Sequence, residues 1–467
     1  MEAPAPAQGE TAAAGGRRAL QTLRGVRRRK ALAFALVFAA AFSVRLLCWR
    51  DARGQAGAVQ TAVTENYKRQ ARLILENGPA SFFTRGSETN DPDLLGHPPG
   101  YSFLLASLGA LSGESDTSAR LFQILCDSLA CALVLLVAFE LLPFGASVSA
   151  GALAALAPQL CWNSVLLLPD TLAVAPLLAA VLLLLKADAG REVFKVLAAG
   201  ALVGLSCWLR ANALLLAPFM ALLAPVLFAR GARARASLAL VAGCVLAVAP
   251  LTARNAFVFG RFIPVSLGAG QTLVEGVGAY DPEQRLGLPD TDVELTRMEA
   301  EEKGRPEYAA SLFGADGFER DRERTRRALS VVAAHPLWFA SVMARRAASM
   351  LRLERVPLAS GAAPVSGGWT RPLGLALRAA QRLFVTALFL PLYALGLFAL
   401  AREADGRALA ALLVIPAYYL CVQSALHTEY RYVLAIHYLL FVAAAAALHH
   451  LAARLKASRL NPRRAAR

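Results

Sequence analysis

Long apolar segments recur along this chain, and they constrain its fold more than any other feature. Each is apolar over about the length that a helix needs to cross some 30 Å of hydrocarbon, although several are marginal. With 57% hydrophobic residues, 18% charged residues and a positive mean hydropathy, the chain has more apolar side chains than a water-soluble core absorbs. The sequence therefore predicts an all-α polytopic membrane protein of about ten transmembrane helices. The segments lie near 31–49, 118–141, 147–166, 170–186, 195–209, 211–229, 237–253, 373–401, 407–425 and 430–452.

The basic residues predict which ends of these segments face the cytoplasm. The net charge of +16 comes mainly from short Lys/Arg tracts beside apolar segments, such as "ARGARARAS" and "AREADGR". The positive-inside rule accounts for such tracts, so the charge does not indicate a nucleic-acid partner. With these tracts in the cytoplasm, both termini are cytoplasmic, the first segment is a retained signal anchor, and two large loops lie outside.

This alternation predicts five parts of the chain. The short apolar run 98–112 does not count as a crossing, because fifteen residues are too few for a span; we expect it to be re-entrant or interfacial. The parts are a basic cytoplasmic tail (1–30), an N-terminal transmembrane module (31–253) with a first outer loop (50–97), a second outer loop with an interfacial helix (254–372), C-terminal transmembrane helices (373–455) and a basic cytoplasmic tail (456–467).

The first outer loop carries two local patterns. Residues 64–78, "TENYKRQARLILENG", have the spacing of a short amphipathic helix that begins near Glu65 and buries Tyr67. After it, "HPPGY" combines two prolines that fix an extended chain with a glycine that lets it turn, which would hold His97 and Tyr101 at the wall of a cavity. Spacing alone favours a Glu65 that only caps its helix.

Polar residues at the predicted outer ends of several spans suggest one shared cavity. Ionisable groups at membrane depth are costly, and they persist mostly where they line a cavity or pair with each other. Each alone also fits a snorkelling charge, a helix cap or a local ion pair. Their occurrence on one side favours the cavity. They are Asp170, Arg210, Arg254, Asn255 and, in "HTEYRY", Glu429, Tyr430 and Arg431.

In order and spacing, several fragments resemble the GT-C glycosyltransferases, in particular bacterial relatives of dolichyl-phosphate-mannose protein mannosyltransferases and lipid A aminoarabinose transferases. The resemblance covers about residues 30–455 and implies a GT-C-like bundle with outer-face loops and amphipathic helices. The fragments are an acid shortly before a Tyr in the first loop, "HPPGYSFLLASLGALSG", "WLRANALLLAP", "LTARNAFVFGRFIPVSLGAGQTLVEG", "HPLWFASVMARR" and "HTEYRYVLAIHYLLFVAAAAAL".

The resemblance implies transfer of a sugar from a polyprenyl-phosphate carrier to a lipid, protein or glycan acceptor on the outer face of the cell membrane. It would make Glu65 the general base. The family acid, however, tends to stand about four residues before the Tyr, where this chain has Val63. The other first-loop acids, at positions 51, 91 and 93, therefore remain alternatives to Glu65.

Phosphate chemistry suggests roles for the arginines. A leaving phosphate in a low-dielectric site needs positive partners, and the planar guanidinium suits its oxygens, so Arg210, Arg254 and Arg431 are candidate clamps. We expect six more residues to complete the substrate site, which lies next to the membrane lipids. They are His97, Tyr101, Asp170, Asn255, Glu429 and Tyr430.

The sequence identifies no cofactor. No metal-ligand spacing is visible, although some relatives bind divalent ions. The seven cysteines lie in or at the ends of apolar runs and indicate neither a disulfide framework nor a zinc site. The alternative functions are a surface-polysaccharide polymerase or ligase and, with less support because internal repeats are absent, a transporter.

Overall fold

Helices make up almost the whole of the described chain. The computed structural model describes residues 8–281, 283, 285–353 and 371–460, and no β-strand occurs within these ranges. Short 3₁₀ turns and loops join the helices. The helices are α1 (Gln8–Ala56), α2 (Thr61–Asn77), α3 (Gly100–Ser112), α4 (Asp116–Phe139), α5 (Phe144–Leu156), α6 (Pro158–Ser164), α7 (Asp170–Leu185), α8 (Val193–Leu209), α9 (Leu216–Leu222), α10 (Ala224–Leu227), α11 (Arg233–Phe259), α12 (Ala269–Gly278), α13 (Asp292–Lys303), α14 (Gly317–Ala334), α15 (Pro336–Met350), α16 (Arg371–Gln381), α17 (Thr386–Glu403), α18 (Gly406–Cys421) and α19 (Leu434–Leu460).

The number of helices able to cross a membrane is smaller than the sequence suggested. Within the described ranges, six are long and apolar enough, and the number reaches eight if two bent pairs each count as one span. The bent pairs are α5 with α6, at 54°, and α14 with α15, at 106°. The multi-span helical class is confirmed, whereas the expected count of about ten is not reached by this criterion. The six spans are Gly25–Ala52, Asp116–Phe139, Arg233–Phe259, Thr386–Glu403, Gly406–Ala425 and Tyr430–Ala457.

The single span predicted at 373–401 is wrong, because two helices, α16 and α17, occupy this segment. Polar side chains near the end of α16 are fixed to other parts of the bundle. Arg378 pairs with Asp51 at 2.9 Å, and the Gln381 amide donates to the Leu156 carbonyl at 3.1 Å. These contacts fix α16 to other parts of the bundle, so it does not continue into α17. The hydropathy of the sequence does not reveal such contacts.

Glycines let α8 and α11 pack backbone against backbone. A Cβ atom on Gly200 would lie 1.9 Å from the Leu240 carbonyl oxygen, and one on Gly243 would lie 2.0 Å from that of Leu197. No larger residue fits at these points without separating the helices. This is the small-residue packing by which helices associate in a membrane, where water does not drive them together.

A fully buried polar cluster joins three spans. The Arg45 guanidinium of α1 donates to the Asp127 carboxylate of α4, and the Tyr438 hydroxyl of α19 donates to the same carboxylate. The exposed fraction of each side chain is 0%. Because buried charges are tolerated only when paired and hydrogen-bonded, the cluster fixes the mutual register of these helices.

The amphipathic helix expected in the first loop is confirmed. Helix α2 begins three residues before the predicted start, and its Ala71 and Ile74 form a small apolar cluster with Ala106 of α3. Helix α3 has 13 residues and is therefore about 20 Å long, which is shorter than a hydrocarbon core. The expectation that 98–112 does not cross the membrane as a full span agrees with this length.

Candidate active site

A cavity of about 640 Å³ lies between the first loop, the segment 271–313 and the segment 427–432. We call it the polar cavity. Its walls come from α2, the residues just before α3, the helix α12, the start of α13 and the segments 309–313 and 427–432. These pieces are far apart in the sequence, so the cavity exists only in the folded chain.

Two arginines and two carboxylates meet at one end of the polar cavity. Asp170, the first residue of α7, accepts a hydrogen bond from Arg210 Nε at 2.8 Å, and Arg431 Nη1 lies 3.7 Å from its other oxygen. Arg431 also forms a two-pronged pair with Glu429, at 2.7 and 3.0 Å. Arg431 and Glu429 line the cavity, whereas Arg210 and Asp170 lie directly behind them. The sequence-based prediction named all four.

The aromatic ring of Tyr432 holds the two arginines in place. The guanidinium carbons of Arg210 and Arg431 lie 4.6 and 4.8 Å from its ring centroid. Arg431 Nη2 donates to the Tyr432 hydroxyl at 3.1 Å. Contacts within the protein therefore position both guanidinium groups before any ligand binds. Within the described chain, Arg431 Nη1 and Asp170 Oδ2 are both buried without a hydrogen bond and lie 3.7 Å apart, so they face each other as an ion pair.

Glu429 is ionised by its arginine neighbour. Burial alone would raise the pKa of Glu429, but the hydrogen bonds and charge of Arg431 outweigh it and lower that pKa below its usual value. The four charged groups at this end of the cavity sum to zero. An anionic ligand binding Arg431 would therefore compete with Glu429 for the same guanidinium fork.

A column of rings forms the wall beside these charges. His97 stacks on Tyr67 with ring centroids 5.1 Å apart, and Tyr67 meets Tyr101 edge to face at the same distance. The Tyr101 hydroxyl donates to Gln123 at 2.6 Å. Burial, together with the charges of Arg210 and Arg431, lowers the pKa of His97 to about 3, so this imidazole is neutral at physiological pH. Of the column, His97 lines the cavity and Tyr101 lies behind it.

Arg254 and Asn255 lie away from the polar cavity. Arg254 donates to the Phe82 carbonyl at 2.9 Å and to the side chain of Asn90, and so fixes the first loop to the end of α11. The Asn255 amide donates to the carbonyls of Ile263 and Val265 at 3.0 and 3.1 Å. Neither side chain joins Arg210 and Arg431, so the expected convergence of three arginines is reduced to two.

Tyr430 also lies outside the cavity lining. Its ring is buried and stacks on His437 of α19 with centroids 5.1 Å apart. The Tyr430 side chain therefore helps to pack the segment 427–432 against the helix bundle. The residues on either side of it in the sequence, Glu429 and Arg431, line the cavity.

Glu65, the acid chosen from the resemblance, is on the outer side of α2. Its side chain is 60% exposed, lies 3.5 Å from Lys68 and 3.8 Å from Arg72, and does not line the polar cavity. Asp51 pairs with Arg378 and Asp91 pairs with Arg69, each at 2.9 Å.

Asp93 is the first-loop acid that lines the cavity. Its carboxylate accepts a hydrogen bond from the Ser311 hydroxyl, which ties the first loop to the second. Burial, with a smaller effect from Asp91, raises the pKa of Asp93.

Sequence reasoning missed three further acids that line the cavity: Asp290 and Asp292, which are both exposed, and the buried Glu275 of α12. Its exposed fraction is 6%, and it accepts a hydrogen bond from the Gln271 amide at 2.9 Å. Burial raises the pKa of Glu275 to about 7. The available signal was a single carboxylate on a short apolar helix whose neighbours Leu273, Val274 and Val277 are buried.

In the described ranges, no group of three or more His, Cys, Asp or Glu side chains has a geometry that could hold a metal ion.

Together, the fold and the paired arginines define a class: a polytopic helical membrane protein with charged residues at the end of a polar cavity. The family model described as "Dolichyl-phosphate-mannose-protein mannosyltransferase" matches residues 96–253, which include the "HPPGY" turn, Asp170 and Arg210. The resemblance inferred from the sequence fragments is thereby confirmed for this part of the chain. No curated protein is significantly similar to the chain in sequence.

Solved structures share the fold. The apo crystal structure of the Archaeoglobus fulgidus oligosaccharyltransferase is similar over 92% of this chain and 51% of that one, at a TM-score of 0.52 and 15% identity. The oligosaccharyltransferase AglB from the same organism, in complex with an inhibitory peptide and a dolichol-phosphate, is similar over 92% of this chain and 51% of that one, at a TM-score of 0.50 and 17% identity. This chain thus spans about half the length of these proteins.

A weaker similarity, to ArnT from Cupriavidus metallidurans bound to undecaprenyl phosphate, covers 81% of this chain and 71% of that chain. Its TM-score of 0.35 at 17% identity supports no conclusion.

Proposed function

We propose that the chain is a glycosyltransferase that moves a sugar from a polyprenyl-phosphate carrier to a lipid, protein or glycan acceptor. The observation that carries this proposal is the arginine pair at the end of the polar cavity, where Arg431 lines the cavity and Arg210 lies directly behind it. A GT-C-like fold with this site suits a membrane-borne phosphate donor. The archaeal relative bound to a dolichol-phosphate adds support from a protein of the same fold.

The chemistry requires a group that stabilises the departing phosphate. As the anomeric carbon bonds to the acceptor, its bond to the phosphate oxygen breaks and the electron pair stays on that oxygen. Arg431 would hold this charge, since a guanidinium binds phosphate oxygens through two parallel donors. Arg210 would act through Asp170 and Tyr432 by keeping Arg431 in place.

The other cavity side chains suit the remaining parts of the substrates. Neutral His97 can donate one hydrogen bond and accept another, as recognition of sugar hydroxyls requires. The remaining predicted residues hold in place the segments that form the cavity walls. They are Tyr101, Tyr430, Arg254 and Asn255. The family resemblance implied Glu65 as the base, but its side chain is 60% exposed and does not line the cavity, so Glu65 is not part of the proposed site.

We also propose that the cavity opens on the outer face of the cell membrane, with the loops 50–97 and 254–372 on that side and both tails in the cytoplasm. The basic tracts support this orientation. A surface-polysaccharide polymerase or ligase would use a similar donor, and the nature of the product distinguishes it.

Binding of undecaprenyl phosphate to the purified full chain tests the arginine assignment. We expect Arg431→Gln to weaken binding by at least tenfold, because a hydrogen bond to a charged group contributes about 1.5–3 kcal/mol. Arg345→Gln, at an exposed arginine on α15, is the matched control and should bind like the wild type. Equal binding by both variants would overturn the assignment.

A further inference from the structure

We infer that Glu275, on the second loop, is the carboxylate that takes the proton from the acceptor during sugar transfer. This inference rests on the proposed function and deepens it. A general base must reach the attacking hydroxyl or amine, so it has to line the cavity in which the acceptor meets the donor. Glu275 lines the polar cavity together with Arg431.

The other candidate acids fit the role less well. Asp290 and Asp292 of the second loop line the cavity but are exposed. Glu65 faces away from the cavity, and Asp51 and Asp91 are paired with arginines. Asp93 reaches the cavity but serves as the acceptor for Ser311. Glu275 differs, because within the described chain it forms no ion pair and accepts its side-chain hydrogen bond from the neutral amide of Gln271.

Helix α12 is held firmly enough to position a base. The Asp321 carboxylate accepts a hydrogen bond from the Gln271 backbone N–H at 3.3 Å, near the start of the helix. One residue further along, the His427 backbone N–H donates to the Thr272 carbonyl at 2.7 Å, and near the end of the helix Arg346 donates to the Gly276 carbonyl. These contacts join α12 directly to the segment that carries Arg431, so Glu275 and the phosphate clamp belong to one rigid wall.

Close packing leaves little freedom for this wall to move. A Cβ atom on Gly276 would lie 2.6 Å from the His427 backbone nitrogen. Arg346 extends the same connection, because its guanidinium also donates to the Ser424 carbonyl at 2.7 Å. A fixed distance between base and phosphate clamp is what transfer between two bound substrates requires.

The protonation behaviour of Glu275 suits the role. Its pKa of about 7 lets it act as a base near neutral pH, and an ordinary carboxylate is a weaker base. The charged groups near it are Asp292 of α13, Arg324 of α14, Arg346 of α15, and His427 and Glu429 of the 427–432 segment.

The step balances as an in-line substitution. The acceptor O–H or N–H bond breaks and its proton moves to a Glu275 carboxylate oxygen. The acceptor atom bonds to the anomeric carbon, and the carbon–phosphate oxygen bond breaks with its electron pair retained by the phosphate at Arg431.

Glu275→Gln tests the inference with little change of shape. The purified full chain, in vesicles, is added to membranes of cells that lack it, and transfer is followed as a sugar-sized mass increase on membrane lipids, proteins or glycans. We expect the variant to lose 10²–10⁴-fold in kcat, with undecaprenyl phosphate binding unchanged. The wild-type rate should fall tenfold per pH unit below about 7, and the residual rate of the variant should not.

Three further variants complete the design. Glu301→Gln, at an exposed position of α13, should match the wild type. Glu275→Asp should keep the pH dependence at a reduced rate, because a carboxylate remains. Glu65→Gln should retain near-full activity.

Two results would overturn the assignment of Glu275 while leaving the proposed function intact. One is near-full activity of Glu275→Gln, or a loss confined to KM, with an active wild type. The other is a comparable loss of kcat in Glu65→Gln or Asp93→Asn alone. Absence of any product with the wild type would overturn the proposed function, and this inference with it.

Discussion

At the scale of single residues, Glu429 has a testable relation to the phosphate clamp. Its carboxylate occupies the guanidinium fork of Arg431 that a phosphate would need. We therefore expect Glu429→Gln to strengthen binding of undecaprenyl phosphate by about tenfold, since the competing charge is removed. Titration of the purified chain measures this, with Glu301→Gln as the control. Weaker binding by Glu429→Gln would contradict a competitive role.

The residues of the cavity show what a sequence reveals about a site. Asp170, Arg210, Glu429 and Arg431 could be predicted to meet, because costly charges at several span ends require partners. Arg254 is also a buried charge near the end of a span, but its partners lie in the first loop. Which partner a buried arginine meets depends on long-range packing, and a sequence pattern does not contain that information.

Glu275 was missed for a related reason. One glutamate in a glycine-rich apolar stretch forms no motif, and its significance comes from burial against α13, α14 and the 427–432 segment. The opposite case is Glu65, whose sequence context suggests a base but whose side chain is 60% exposed.

At the scale of helices, the buried cluster of α1, α4 and α19 makes a quantitative prediction. Asp127→Ala leaves Arg45 buried and without its countercharge, so we expect it to lower the free energy of unfolding by about 3–5 kcal/mol. Replacing both residues, as Arg45→Met with Asp127→Ala, should cost less than Asp127→Ala alone. Thermal or denaturant unfolding in detergent compares the three proteins. A double variant less stable than Asp127→Ala would show that the ion pair itself supplies the stability.

Helix prediction succeeded where local pattern decides the structure. The spacing of buried residues in α2 and the length of α4 follow from their own sequences. The segments 211–229 and 373–401 instead break into shorter helices. Pro218 and Pro225 interrupt the first, and the contacts of Arg378 and Gln381 separate the helices of the second, so composition alone overestimated the number of spans.

At the scale of the whole molecule, the proposed orientation can be tested by labelling. Cysteines introduced at Glu88 and Ala310, which are both exposed, should react with a membrane-impermeant thiol reagent in intact cells. A cysteine at Arg230, in a basic tract proposed to be cytoplasmic, should react only after permeabilisation. Protection of the first two with labelling of the third would reverse the orientation.

Sugar transfer from a polyprenyl phosphate is the central claim, and the composition of the cell envelope tests it most directly. Mass spectrometry would compare the lipids, proteins and glycans of cells that contain the chain, lack it, or carry Arg431→Gln. We expect a sugar-sized mass increase on one class of molecule in the first cells alone, with accumulation of the polyprenyl-linked sugar in the other two. Identical envelopes in all three, with no change in the lipid-linked sugar, would contradict the account.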